Sequence, residues 1–329
     1  MVSWILAIYP IAVACLLLAL PLLAPRSGPL VLANIFSIHL ALAGLLLVPV
    51  AIAIRGRPLA IGLALLVVVS VARFGGDWVS APFSRDSSDG LYSAASWNLE
   101  LGARSGSDAV GDLKTIDVDL IALQELGPDH ARAIEASETL TSTYPHRALY
   151  PDPGVLGMGL LSRDPIVRVE HDQDPAVIEA VLDTEYGEVT VIDAHPLAGG
   201  LDMAGPIPIG LDTTRRDERL QRIRTRIDAA MAQGESVILL GDLNTTPFEP
   251  GYHDISEGLH DAHAEAGQGP GWTWRPSRLE WTRTGFIRID HALSSPGILP
   301  VSVGEQCEKV GDHCILEVWF SMGAAGGSD

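Results

Sequence analysis

Hydrophobic and polar positions divide the chain near residue 77. Before that point almost every position is apolar. No charge occurs from Met1 to Pro25, a second uncharged run spans Ser27 to Ile54, and a third runs from Pro58 to Ala72. Roughly 20 apolar residues cross a bilayer core. The first two runs meet that length, and the third reaches Gly76 if Arg73 snorkels its guanidinium to the interface. The pattern predicts a membrane anchor of three transmembrane helices within residues 1–76. A cleaved signal peptide would start with a basic residue, whereas the first basic residue here is Arg26.

Residues 77–90 are rich in Ser, Asp and Gly and read as a linker. From residue 91 onward short apolar runs alternate with amphipathic stretches. Strands are expected at 91–98, 119–124, 157–162, 177–183, 188–194, 236–241, 287–294 and 315–320, and helices at 107–117, 129–141 and 214–232. In the last helix Leu220, Ile223, Ile227 and Ala230 form an apolar stripe, with Asp212 or Thr213 as its cap. Strands mixed with helices in this way suggest two packed sheets covered by helices over residues 91–321. Residues 322–329 read as a flexible tail. Gly199–Asp212 is long and rich in Gly and Pro, and reads as a connection that shapes a rim.

Charge sharpens the division. Five of the 22 basic and three of the 41 acidic residues precede residue 90, leaving a net charge near −21 on the rest. A domain this acidic repels nucleic acid and anionic lipid at long range. A bound divalent cation would reverse that field locally. The second loop carries Arg55 and Arg57 and the first only Arg26. The positive-inside tendency then places the N-terminus in the cytoplasm and the domain outside. Cys307 and Cys314 flank Asp312-His313 and form either a small disulfide loop or two buried thiols.

The chemistry gathers at strand ends. Val237-Ile238-Leu239-Leu240 is an apolar strand that stops at Gly241-Asp242-Leu243-Asn244. Asp242 and Asn244, two apart, are expected on one face. Earlier strands end in Trp97-Asn98, in Gln124-Glu125 and in Asp193-Ala194-His195-Pro196, and later come Arg288-Ile289-Asp290-His291 and Gly311-Asp312-His313. A hard cation takes oxygen ligands, which Glu125 supplies. An imidazole held by a carboxylate, as His313 by Asp290, is stabilised as a cation and fixed in orientation. Asp312, next to His313, faces the opposite way if that segment is extended. Trp272, Trp274 and Trp281 are candidates for a cleft wall, with packing as the simpler reading. His260 and His263 read as a solvated loop rather than a metal patch. No Walker loop, dinucleotide fingerprint, Gly-x-Ser-x-Gly elbow or zinc signature occurs.

Taken in order, Ser96-Trp97-Asn98, Leu123-Gln124-Glu125, Gly159-Leu160-Leu161-Ser162-Arg163, Asp193-Ala194-His195-Pro196, Gly241-Asp242-Leu243-Asn244, Arg288-Ile289-Asp290-His291 and Gly311-Asp312-His313 resemble the endonuclease/exonuclease/phosphatase superfamily, whose fold is deoxyribonuclease I-like. The apolar N-terminus is similar to a bacterial membrane-anchored branch of it. The resemblance implies an α/β (α+β) fold, a four-layer sandwich of two mixed β-sheets flanked by helices and preceded here by the transmembrane helices. It implies a hydrolase of phosphate mono- or diesters using Mg²⁺ or Mn²⁺. Glu125, Asn98 and Asp312 would serve the metal. His313, Asp290, Asp242, Asn244 and His195 would be catalytic. The motif departs at Gly311, where the family usually has Ser. The substrate class favoured beside a bilayer is a lipid or lipid-linked phosphoester. A metal-dependent nuclease is the alternative enzyme, and a non-catalytic metal-binding sensor the alternative of another class.

Overall fold

The computed structural model describes residues 2–78 and 91–323. The apolar third of the chain forms α1 (Val2–Leu23), α2 (Pro29–Ile35), α3 (Ser37–Leu45), α4 (Val48–Ile54) and α5 (Arg57–Trp78). Three stretches, Val2–Leu23, Ser37–Ile54 and Arg57–Gly76, are long and apolar enough to cross a membrane, with mean hydropathies of 2.5, 2.3 and 2.1. The second expected span is therefore shorter than its uncharged run. Asn34 and Ser37 are polar and buried near its start, and α2 stands apart as a short helix. Residues 79–90 of the expected linker and 324–329 of the expected tail lie outside the described residues. Asp77 and Trp78 continue α5, and Met322 ends the last strand.

The rest of the chain begins with β1 (Leu91–Asn98), α6 (Gly106–Leu113), β2 (Leu120–Gln124), α7 (Pro128–Ala136) and α8 (Glu138–Thr143). It continues through β3 (His146–Tyr150), β4 (Met158–Ser162), β5 (Ile166–Gln173), β6 (Ala176–Thr184) and β7 (Gly187–His195). Then come β8 (Gly200–Ala204), β9 (Ile207–Asp212), α9 (Thr214–Ala232), β10 (Ser236–Asp242) and α10 (Pro250–Ser256). It closes with β11 (His260–Asp261), α11 (Ala262–Ala266), β12 (Asp290–Ser294), β13 (Ile298–Gln306) and β14 (Ile315–Met322).

Two six-stranded sheets result, ordered β13-β14-β1-β2-β4-β3 and β11-β12-β10-β7-β6-β5. Both are mixed: β1 runs parallel to β2 and antiparallel to β14, and β10 runs parallel to β7 and antiparallel to β12. The central strands are buried on both faces, so β2 and β10 read as near-continuous apolar runs up to their polar tips. Along β10, Ile238 and Leu240 join the core between the sheets, while Val237 and Leu239 join the core under α9 and α10. Along β1, Ala94 faces the other sheet and Ala95 and Trp97 face α6 to α8. This alternation yields the expected four layers, helix on sheet on sheet on helix.

Several boundaries differ from expectation. The helix expected at 129–141 breaks at Ser137, whose extended backbone and side-chain oxygen cap α8 by accepting from the Leu140 amide. Thr213 is the N-cap of α9 but makes no side-chain capping bond; Asp212, one residue earlier, accepts the Thr214 amide through Oδ1 at 3.0 Å. The stretch 199–212 is not an irregular connection but the antiparallel ribbon β8–β9. His263 does not lie in a solvated loop: it is buried, with Nδ1 on Glu305 and Nε2 on the Gly269 carbonyl. Cys307 and Cys314 form a disulfide.

Candidate functional site

The two sheets present the ends of β1, β2, β7, β10 and β12 at one place. Behind them, motif residues tie the layers together. Gln124 on β2 donates to Asp193 on β7 at 2.6 Å, and both are buried. Burial pushes the Asp193 carboxyl well above its usual range, against the Gln124 bond, which lowers it.

All eight expected site residues meet in front of this tie. Asn98 donates through Nδ2 to Glu125 at 3.2 Å and to Asp242 at 3.1 Å. His195 Nε2 lies 3.6 Å from Asp242 and 3.9 Å from Glu125, while its Nδ1 is 3.1 Å from the Val155 carbonyl. His313 Nδ1 lies 3.1 and 3.0 Å from the two Asp290 oxygens. Its Nε2 lies 3.6 Å from Asp242 and 3.8 Å from Asp312.

Two expectations about direction are corrected. Asn244 does not share a strand face with Asp242, because β10 ends at Asp242 and Asn244 has a left-handed backbone with φ 52°. It reaches Asp242 by bonding it, amide N–H to Oδ1 at 2.9 Å and Nδ2 to Oδ2 at 3.2 Å. Asp312 does not point away from His313, since it sits in a bend before β14 and approaches the same imidazole.

Glycines and buried cations hold these loops. At Gly241, φ is 140° and a Cβ would collide with the Ala194 carbonyl on β7. At Gly311, φ is 100° and a Cβ would press on the Arg104 guanidinium. A serine there would be strained. Arg104 also bonds the Val310 carbonyl and lies over Trp97, 4.6 Å from the ring centroid. Arg216, buried on α9, donates to the Asn244 carbonyl at 2.7 Å and pairs with Glu249 at 2.9 Å.

Sequence reasoning missed Glu100. Its amide donates to Asn98 Oδ1 at 2.9 Å, and its carboxylate accepts the Asp312 amide at 2.8 Å. It lies beyond the end of β1 with φ 48°, so strand alternation gives no hint of it. Glu125 is also left-handed, at φ 52°. Non-glycine residues held at positive φ persist where surroundings over-determine them, commonly at functional sites. Among the aromatic residues singled out, Trp274 donates to Asp312 at 2.9 Å, Trp272 stacks on His39 of α3, and Trp281 is exposed.

The electrostatics follow from crowding acids around one imidazole. Burial opposes the His313 charge, but Asp290 and Asp242, together with the direct Asp290 bond, outweigh it and raise the group to about 10. Burial, partly offset by His313, raises Asp242. Burial likewise lifts Asp312 to about 6, again against His313. Asp242, Asp290 and His313 form a buried acid and imidazole group, with ligand atoms within 4.8 Å of one another.

The donor chemistry fits a hard divalent cation. Glu125 and Asp312 supply carboxylate oxygen, and no thiol is among the site residues. Asp312 Oδ1 is buried without a hydrogen-bond partner among the described residues. His313 Nε2 approaches it only to 3.8 Å, and a buried anionic oxygen is costly unless a cation pairs it closely.

A model described as "Endonuclease/Exonuclease/phosphatase family" matches residues 95–321. The chain belongs to the endonuclease/exonuclease/phosphatase family. Membership indicates a phosphoesterase domain, in a family whose enzymes use divalent metals. No curated protein matches the chain. Among solved structures, an endonuclease/exonuclease/phosphatase from Beutenbergia cavernae DSM 12333 is similar over 73% of this chain and 74% of its own, at 17% identity and TM-score 0.54. The 3′ phosphatase NExo from Neisseria, bound to a product DNA hairpin, matches 69% of this chain and 98% of its own, at 18% identity and TM-score 0.54. An AP endonuclease from Archaeoglobus fulgidus has the same identity, coverages and TM-score. At these identities the likeness shows the fold.

Proposed function

We propose that the chain is a membrane-tethered phosphoesterase that hydrolyses a lipid-linked phosphate mono- or diester. The observation that carries this reading is the convergence of eight side chains from both sheets beside Asp312 Oδ1, a buried oxygen with no hydrogen-bond partner among the described residues. Glu125 and Asp312 would hold Mg²⁺ or Mn²⁺, with Asn98 orienting Glu125. The ion would polarise a phosphoryl oxygen and neutralise developing charge.

The chain's own residues supply the rest. Asp242, raised by burial, is suited to accept the proton of the attacking water. Asn244 fixes that carboxylate through two bonds. His313, kept cationic by Asp290, donates through Nε2 to a phosphate oxygen. His195 places its Nε2 on the same side, where it stabilises the pentacovalent oxygens.

Membrane tethering is supported by the three apolar helices and by how the domain rests on them. Arg26, just after α1, pairs with Asp217 at 2.7 Å and Asp254 at 2.8 Å. Phe248, four residues past Asn244, packs edge-on against Phe74 of α5. Three crossings would put residue 28 and the domain on one side, and the Arg55 and Arg57 loop on the cytoplasmic side. The acidic surface disfavours long-range capture of DNA.

The test is a substrate panel on the full chain in phosphatidylcholine nanodiscs with Mg²⁺. It includes bis(4-nitrophenyl) phosphate, an embedded lipid phosphoester and single-stranded DNA. Ester turnover that stops with chelator supports the reading. Chelator-insensitive turnover contradicts the metal role, and DNA cleavage without lipid phosphoester turnover replaces the substrate class with nucleic acid.

A further inference from the structure

The β8–β9 ribbon pairs with neither main sheet. Its side chains are unusual for a surface ribbon in water: Leu201, Met203, Ile207 and Ile209 are 57%, 51%, 62% and 51% exposed. A lone two-stranded ribbon is marginal in water, and a cluster of exposed apolar side chains marks an interaction surface. Its charges are Asp202 and, at the base opposite Gly200, Asp212.

The base of the ribbon is fastened at a defined height. Gly28 donates to the Leu211 carbonyl at 3.0 Å, and Leu211 donates back to Gly28 at 3.3 Å. The Leu211 side chain packs with Val31 and Ile35 of α2. Gly28 follows α1 by five residues, so this pairing lies where the chain would leave the bilayer. Just below the ribbon, the Thr213 amide donates to the Arg26 carbonyl at 2.9 Å. Its other end begins five residues after His195, a member of the site.

We propose that the β8–β9 ribbon is a membrane-interface element, seated among the glycerol and upper acyl groups of the bilayer, which sets the opening of the phosphoesterase site against the lipid surface. The inference rests on reading the N-terminal helices as membrane spans. It also names how that site would reach a lipid-linked substrate without extracting it. Ribbon edges leave backbone groups unpaired, which excludes deep insertion into hydrocarbon. Pro206 and Pro208 remove two donors near the tip, easing contact with the apolar boundary. A ribbon of five- and six-residue strands spans about 15–20 Å, enough to connect a site above the surface with the headgroup region. A lipid surface is the occupant because the ribbon's base is hydrogen-bonded to Gly28, five residues past the end of the first apolar helix.

The test measures depth and needs no turnover, so it fails separately from the enzymatic reading. Single cysteines are placed by Leu201→Cys, Met203→Cys and Ile207→Cys in a Cys15→Ser background of the full chain. A fourth variant, Arg132→Cys, marks the exposed face of α7. Each carries a nitroxide in phosphatidylcholine nanodiscs, and collision rates with oxygen and with a water-soluble nickel chelate are compared. The expected result is high oxygen and low nickel accessibility at 201, 203 and 207, and the reverse at 132. Nickel accessibility at all three ribbon positions equal to that at 132 would overturn the proposal. Shielding from both reagents would assign the ribbon to a protein contact and would also overturn it.

Discussion

His313 Nδ1 sits 3.1 and 3.0 Å from the two oxygens of Asp290, and both residues are buried. Against the cost of burial, that pairing and the nearby Asp242 carboxylate raise the imidazole to about 10 in the folded state, against about 6.5 in the unfolded chain. A raised basic group stabilises the fold fully below its unfolded value. The contribution is lost as pH rises through the folded value. The metal-free protein should therefore lose thermal stability between about pH 6.5 and 10. Asp290→Asn should flatten that decline, as read by Tm across the same pH series.

Metal affinity should depend on pH in the opposite sense. Asp312 is lifted to about 6 by burial, so protons compete with a cation for its carboxylate in mildly acidic solution. Calorimetric titration with Mn²⁺ should show weaker binding at pH 5.5 than at pH 7.5. Asp312→Asn should weaken binding at both values.

Glu100 should behave as a positioning residue. Its carboxylate holds the Asp312 amide and its own amide holds Asn98. Glu100→Gln should raise the Mg²⁺ concentration needed for half-maximal rate by about tenfold, the size of effect known for residues that orient metal ligands. The rate at saturating Mg²⁺ should change little, which separates positioning from loss of fold.

Gly311→Ser would restore the family's usual residue at a cost. With φ at 100° and Arg104 against the site of a Cβ, the variant should lose about 1–3 kcal/mol of stability in urea unfolding. An equally stable variant would show that the loop relaxes freely.

The strands that carry the site were legible in the sequence because their apolar runs stop abruptly at polar residues. Leu239 and Leu240 are buried on opposite faces, so a continuous run marks a central strand, and the change at Gly241-Asp242 marks its tip. The edge strands β3, β5 and β13 were not foreseen. They are only partly buried, and their mixed residues, such as Arg168 and Glu170 on β5, give a weak pattern. Boundaries moved where a side chain capped a backbone group, as at Ser137. The site's members could be named from their order along the chain, but not how they meet. Asn244, Glu125 and Glu100 depend on left-handed backbones that alternation does not encode. The β8–β9 ribbon was hidden because its glycines and prolines resemble those of a loop. Its identity as a ribbon depends on pairing across Gly205, a turn at φ 63°.

The central claim is that Glu125, Asp242 and His313 act together on one phosphoester. The most direct measurement is the steady-state rate of the full chain on bis(4-nitrophenyl) phosphate with Mg²⁺, beside Glu125→Ala, Asp242→Ala and His313→Ala, each checked for native circular dichroism. Removing an acid–base group should lower kcat by about 10²–10⁴-fold, and removing Glu125 should do at least as much. Folded variants that retain the wild-type rate would contradict the account.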